Sequence, residues 1–111
     1  MLKNEKININ QFLRDMYGDQ YYPKFLVDKC RDILAQMCEK IEEKQPKNLE
    51  ELYEITQKST EEINDLQDEF YKNNSDIETI ARESLAEEFF KISEAYGFEA
   101  DLETLIATRD W

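Results

Sequence analysis

Apolar residues recur at steps of three and four through nearly the whole chain, and the few helix-breaking residues lie between these periodic segments. Such spacing places apolar side chains along one face of an α-helix. Only two Gly and two Pro occur in 111 residues, so long helices with short connections are expected. The pattern predicts an all-α protein, an up-and-down bundle of four main helices with a short fifth C-terminal helix. We assign residues 1–9 to a flexible N-terminus and residues 10–111 to a single helical domain.

The clearest apolar stripe belongs to the predicted second helix. Pro23 suits its first position because a proline φ is already helical, and Pro46 ends it. Cys30 and Cys38 both lie on the stripe, so we interpret them as core residues. They are eight residues apart, about 12 Å along a helix, which is beyond disulfide reach and indicates a reducing, cytoplasmic setting. The stripe consists of Leu26, Cys30, Ile33, Leu34, Met37, Cys38 and Ile41.

The other helices are predicted from caps and apolar spacing. The first should cover about residues 10–17, the third residues 48–70, and the fourth residues 75–96 with Ser75 as its N-cap. A short fifth helix should begin at Asp101. The apolar face of the third helix is interrupted in its middle by Ser59–Thr60. Either a neighbouring helix approaches closely at this point, or the stripe rotates.

Composition excludes several functions. The chain has 26 acidic and 14 basic side chains, a formal charge of −12, and no histidine. Without histidine it cannot form His-based catalytic triads or the imidazole sets of most catalytic zinc sites. So negative a protein lacks the basic footprint that nucleic acid requires. Because no apolar run reaches about 18 residues, we expect no membrane span, and we predict neither metal nor cofactor.

The negative charge is concentrated in the second part of the chain. Residues 1–47 hold 8 acids and 9 bases, whereas residues 48–111 hold 18 acids and 5 bases. Within the predicted third helix, like charges stack at helical spacing, which is mildly unfavourable. The explanations are a solvated face that keeps the protein soluble, a docking face for a basic partner, or a divalent-cation site. The candidate partner-binding residues are Glu61, Glu62, Asp65, Asp68 and Glu69.

Aromatic residues gather around the turn between the first two predicted helices. Tyr17, Tyr21, Tyr22 and Phe25 are interpreted first as packing residues. If two or more of them prove exposed beside one another, a binding site for a protein or small molecule is the preferred explanation. Trp111 is the last residue of the chain, and we expect its ring to dock in an apolar groove.

A second group of charges lies on the predicted fourth helix. Glu83, Glu87 and Glu88 are close in sequence, and paired carboxylates in a cleft can act as acid and base. A surface cluster is the simpler explanation. Glu88 borders the apolar stripe, so an ion pair with Arg82 or Lys91 at the edge of the core is the alternative.

Three segments carry a family resemblance. The stretches 21–29 (YYPKFLVDK), 64–70 (NDLQDEF) and 106–111 (IATRDW) resemble a family of small, acidic bacterial proteins of unknown function. The resemblance covers about residues 10–111. It implies a stand-alone bacterial cytoplasmic protein, and it supplies no activity or site residue.

Three functional hypotheses follow from the sequence. The first is a non-catalytic interaction module that presents its acidic helical face to a basic protein, with an immunity-like or inhibitor role as one form. The second is a small enzyme or ligand-binding module with carboxylates and a tyrosine in a pocket near the aromatic cluster. The third is an oligomerisation unit, in which the chain forms a homo-oligomer.

Overall fold

A computed structural model describes residues 2–111, and it contains helices and loops with no β-strand in that range. The all-α prediction is therefore confirmed. A 3-10 turn over Ile9–Gln11 precedes the first α-helix. The α-helices are α1 (Arg14–Tyr17), α2 (Lys24–Lys44), α3 (Leu49–Asn64), α4 (Gln67–Lys72), α5 (Thr79–Ala95) and α6 (Leu102–Leu105).

The long helix α2 packs against α1, α3 and α5. Its N-cap is Pro23, one residue before the first helical position, and Gln45 ends it in the left-handed region at φ 48° immediately before Pro46. Ile33 is only half-buried, and Val27 joins the core instead. The predicted stripe is otherwise confirmed. The buried residues of α2 are Leu26, Val27, Cys30, Leu34, Met37, Cys38 and Ile41.

The predicted first helix over residues 10–17 is wrong. Leu13 has φ 59°, a left-handed conformation that is unfavourable for a branched side chain, and it separates the 3-10 turn from α1. Its backbone N–H donates to Glu88 Oε2 at 2.7 Å. The reversal at Leu13 allows Phe12 and Leu13, neighbours in sequence, both to be buried. Residues 2–111 therefore contain three long helices, α2, α3 and α5, where four main helices were predicted. The up-and-down order of the helices stays a prediction.

The predicted third helix is divided into α3 and α4. At the break the Leu66 N–H donates to Ile63 O at 3.0 Å, a tighter i to i+3 turn. For α3 this position is electrostatically unfavourable, because Glu61 and Asp65 then lie at its negative C-terminal end. The break places Asp68 and its neighbour in the first turn of α4, where the helix dipole favours negative charge.

The fourth predicted helix begins later than expected. Ser75 is not its N-cap: α5 starts at Thr79, and Glu78 is the extended residue before it. Ile77, in the extended segment before the helix, is nevertheless buried in the core. After the other end of α5, Gly97 adopts φ 86°, and the Asp101 side chain caps α6 by accepting from the Thr104 N–H at 3.0 Å.

The polar middle of α3 is covered by the C-terminal segment, residues 102–111. Thr56, Ser59 and Thr60 are all buried, and α6 packs on this helix. Thr60 Oγ1 donates to Thr56 O at 2.8 Å and lies 3.5 Å from Leu105 O. Small side chains permit this close approach, so the first of the two explanations for the interrupted stripe is confirmed.

Side chains of α3 also bond directly to the backbone of the C-terminal segment. Gln57 Nε2 donates to Thr104 O at 2.9 Å, and Asn64 Nδ2 donates to Thr108 O at 2.9 Å. Asn64 Oδ1 in turn accepts from the Asp110 N–H at 2.8 Å. Trp111 follows directly and is buried in the core, as predicted. These bonds hold a short, mostly irregular segment against a long helix.

The N-terminal residues are attached to α2 and α5 by one carboxylate. Glu42 accepts from the backbone N–H groups of Lys3 and Asn4, at 2.8 and 3.1 Å, and from Tyr96 Oη at 2.5 Å. Asn4 Nδ2 donates to Ala95 O at 2.7 Å. The bond from Tyr96, followed by that from Lys3, lowers the pKa of Glu42. The flexibility of residues 1–9 stays a prediction.

Over residues 2–111, none of the helices combines the length and the apolar composition that crossing a bilayer requires.

Replacing Asn64 tests the attachment of the C-terminal segment. Asn64→Ala removes two hydrogen bonds to backbone groups, so we expect the free energy of unfolding to fall by about 1–3 kcal/mol in urea titrations. Asn73→Ala is the matched control, because the Asn73 amide bonds only to Glu69 O at the exposed end of α4. Equal losses in the two variants would contradict the attachment.

Replacing Glu42 tests the attachment of the N-terminal residues. Because the pKa of Glu42 is lowered in the folded chain, the stability that its carboxylate contributes is fully present above the ordinary glutamate pKa. That stability is lost as the pH falls through the lowered value. We expect the amide proton shifts of Lys3 and Asn4 to follow that titration in wild type and not in Glu42→Gln. Glu43→Gln, the neighbouring exposed control, should leave the titration unchanged.

Candidate functional site

The five predicted partner-binding acids lie around the junction of α3 and α4. Glu61 and Glu62 are on the last turn of α3, Asp65 is its C-cap residue, and Asp68 and Glu69 are in the first turn of α4. The structure therefore keeps them near one another despite the break in the helix.

Two of these five acids pair with lysines of α2. Lys29 Nζ lies 2.7 Å from Glu69 Oε2, and Lys40 Nζ lies 3.7 Å from Glu62 Oε1. Both pairs are partly exposed, so each contributes little to stability. The two pairs show that α4 and the end of α3 lie beside α2.

The other three acids form a row that we call the acidic ridge: Glu61, Asp65 and Asp68. All three side chains are exposed, and none forms an ion pair within residues 2–111. Spacings of four and three place them along one side of the α3–α4 junction. A further step of three leads to Tyr71, which is 64% exposed. The ridge therefore ends at an exposed aromatic ring.

Two residues of the predicted aromatic cluster have structural roles. Tyr17 Oη donates to Asp28 Oδ1 at 2.5 Å, and the Arg31 guanidinium lies 5.9 Å from the Tyr17 ring centroid. Burial, with the bond to Asp28, raises the pKa of Tyr17 to about 12. Tyr22 is buried, and its Oη accepts from the Ala81 N–H at 3.2 Å.

The other two residues of the cluster are exposed. Tyr21 is 41% exposed and Phe25 is 50% exposed, at the N-terminal end of α2. With Tyr71 they form what we call the aromatic patch. Partial burial raises the pKa of Tyr21, and the charges of Glu78 and Asp76, followed by Tyr71, raise it further. Sequence reasoning missed Tyr71, although its spacing from Asp68 is a usable signal.

The two cysteines are core residues and offer no reactive group. Cys30 and Cys38 are buried, and burial raises the pKa of each thiol to about 12, so both stay protonated and unreactive near neutrality. No group of three or more Cys, Asp or Glu side chains in residues 2–111 is arranged to hold a metal ion. The arrangement in this range offers no assembled metal centre.

Glu88 does not form the alternative ion pair with Arg82 or Lys91. Its carboxylate accepts the Leu13 N–H, while Lys91 Nζ lies 2.9 Å from Glu87 Oε1. Glu88 is half-buried, and burial raises its pKa. Its function in the fold is to hold the unusual backbone at Leu13.

The most prominent concavity lies away from the aromatic cluster. It is an open cleft of about 750 Å³ between the C-terminal half of α2 and the N-terminal half of α3, and Ile55 and Pro46 are its apolar residues. Its charges are mixed, with lysines and glutamates interleaved. Its charged residues are Lys40, Lys44, Glu50, Glu51, Glu54 and Lys58.

A shallower depression of about 460 Å³ contains Tyr17, but its charged residues are Arg14 and Arg31 and it has no carboxylate. Neither concavity combines a tyrosine of the cluster with a carboxylate pair.

Comparison with known proteins places the chain in a family. Residues 6–111 match the family model described as a family of unknown function, DUF5713. The chain belongs to this family. No curated protein and no solved structure matches it. The family description names no activity, so function in this DUF5713 chain must be argued from its surfaces.

Replacing Glu88 in this DUF5713 chain separates its hydrogen bond from its charge. Because burial raises the pKa of Glu88, the protonated form suits the folded state, and wild-type stability falls as pH rises from the ordinary glutamate pKa through the raised value. We expect Glu88→Gln, which keeps an oxygen for the Leu13 N–H, to gain stability relative to wild type as the pH rises above the ordinary glutamate pKa.

Glu88→Ala leaves the Leu13 N–H without its acceptor, so it should lose about 1–3 kcal/mol in the same urea titrations. Exposed Glu83→Gln is the control for charge removal from α5. An equal loss in Glu88→Gln and Glu88→Ala would show that the Leu13 N–H requires a charged acceptor.

Proposed function

We propose that the chain is a non-catalytic interaction module that presents the acidic ridge to a basic protein in the bacterial cytoplasm. An immunity-like or inhibitor role, in which the basic partner is bound and blocked, is one form of this function. The single observation that supports it is that Glu61, Asp65 and Asp68 remain exposed and without ion pairs inside the described chain, while adjacent acids pair with lysines.

The unpaired row costs the free protein energy. Carboxylates at helical spacings of three and four repel one another by a few tenths of a kcal/mol per pair. Asp65 also lies at the C-terminal end of α3, where the helix dipole disfavours negative charge. A partner that places lysines or arginines along the ridge removes this repulsion and gains ion pairs at the same time. The ridge thus has a physical reason to bind cations.

The distribution of charge over the chain strengthens this proposal. Residues 48–111 carry 18 acids and 5 bases, so the long-range field has one sign over much of the molecule. Such a field attracts a basic partner before contact and raises the association rate, an effect that salt weakens. Oligomerisation through the helical faces stays a prediction.

Affinity capture with matched variants tests the proposed function. The ridge variant is Glu61→Gln with Asp65→Asn and Asp68→Asn; the control is Glu83→Gln with Glu94→Gln and Glu99→Gln. Each removes three exposed carboxylates. We expect wild type and control to capture the same basic protein from a lysate of the source organism, and high salt to release it. The purified partner should bind the ridge variant about tenfold more weakly, as expected for losing several surface ion pairs.

The control variant decides between a specific surface and net charge. If both variants lose the partner equally, binding depends on the overall charge of −12 and the ridge has no special role. If wild type retains no protein that salt releases, the proposed function is wrong.

A further inference from the structure

The aromatic patch is unusual for its exposure. Tyr21, Phe25 and Tyr71 are the three exposed aromatic side chains in residues 2–111, and every other aromatic residue in that range is buried or half-buried. Exposed tyrosines and phenylalanines grouped at one place are typical of the energetically dominant part of a protein interface. Solubility alone does not explain them.

The patch is built on ordered neighbours. The Tyr21 ring packs edge-to-face on Tyr22, with centroids 5.1 Å apart and planes at 80°. Tyr22 is itself buried and bonded to the Ala81 N–H at the start of α5. The Tyr21 ring is therefore supported before any partner arrives, which lowers the entropy cost of binding.

The patch continues the acidic ridge. Tyr71 lies three residues beyond Asp68 on the same side of α4, and the run from Glu61 to Tyr71 extends about 15 Å at helical rise. The ion pair between Lys29 and Glu69 shows that α4 lies beside the first turns of α2, which carry Phe25. Ridge and patch are thus parts of one strip.

Charge around the patch is negative on balance. The carboxylates of Asp76 and Glu78 act on Tyr21, and those of Glu78 and Asp19 act on Tyr22. Lys24 and Lys72 also belong to the segments at this end of the molecule. The three carboxylates outnumber these two lysines, so the charge beside Tyr21 is negative on balance and attracts an approaching cation.

The chain already uses its own arginines to cover aromatic rings elsewhere. The Arg31 guanidinium lies 5.9 Å from the Tyr17 ring centroid, and that of Arg109 lies 5.6 Å from the Trp111 ring centroid. Within the described residues no arginine or lysine covers a ring of the aromatic patch. A cation from outside would therefore meet no competing arginine or lysine of residues 2–111 on these exposed rings.

We propose that the aromatic patch anchors the basic partner by taking an arginine side chain against its rings, while the acidic ridge pairs with further cations along the same strip. The inference rests on the proposed function and specifies its partner: a protein segment that carries arginine. Arginine is preferred to lysine because its planar, weakly hydrated guanidinium stacks on aromatic faces and can also bond to Asp76 or Glu78.

Peptide binding tests this preference. The probes are two fluorescein-labelled, alanine-rich helical peptides that carry cations spaced three and four residues apart, all arginine in one and all lysine in the other. We expect wild type to bind the arginine peptide several-fold more tightly in fluorescence anisotropy titrations. Phe25→Ala with Tyr71→Ala should weaken that peptide about tenfold and remove the preference, which corresponds to losing two exposed cation–π contacts.

Two further variants make the result specific. Leu49→Ala, at an exposed apolar residue on α3 outside the patch, should leave both affinities unchanged. The ridge variant described above should weaken both peptides similarly. Because Phe25 and Tyr71 are exposed, circular dichroism should show unchanged helix content in the patch variant.

The outcomes separate the two proposals. If wild type shows no arginine preference, or the patch variant keeps it, the arginine site is wrong; the proposed function survives if the ridge variant still weakens binding. If neither variant changes binding, both proposals are wrong. If light scattering shows a wild-type oligomer that the patch variant dissociates, the patch is a contact between copies, and the arginine site is wrong.

Discussion

The buried face of α2 is the constraint on which the rest of the structure depends. Seven of its 21 residues are buried, and α1, α3 and α5 all pack against it. A helix of this length extends about 30 Å, most of the longest dimension of the molecule at 41 Å. Removing this apolar face from water is the main favourable contribution to folding. The positions of the ridge and the patch are therefore set by a helix that contributes only Phe25 to them.

The lysines of the same helix also explain which acids around the α3–α4 junction stay unpaired. Its two lysines that face α3 and α4, Lys40 and Lys29, neutralise the nearest acids, Glu62 and Glu69. The three ridge acids pair with no lysine of α2 and stay exposed. Around the α3–α4 junction, packing against α2 thus leaves two acids paired and three exposed. This packing is enough to leave an exposed acidic row.

Features that depend on residues close together in the sequence could be predicted, whereas features that depend on contacts between distant residues could not. The extent and face of α2 were predictable because its stripe and both prolines are local signals. The reversal at Leu13 depends on Glu88, 75 residues away, and Asn64 bonds to a segment 44 or more residues away, so neither contact has a local sequence pattern. The ridge acids were found from spacing. Exposure of the patch rings, with Tyr71 among them, is decided by tertiary packing.

The two parts of the strip act on different steps of binding. Charges on the ridge act over about 8 Å at physiological ionic strength, so they change how often a partner arrives in the correct orientation. The aromatic rings act only at contact, so they change how long the partner stays. Neighbouring ridge acids lie within one screening length of each other, so they attract a partner together and salt weakens the attraction of the whole row. A partner that satisfies both parts must therefore carry its cations in a row and an arginine at one end.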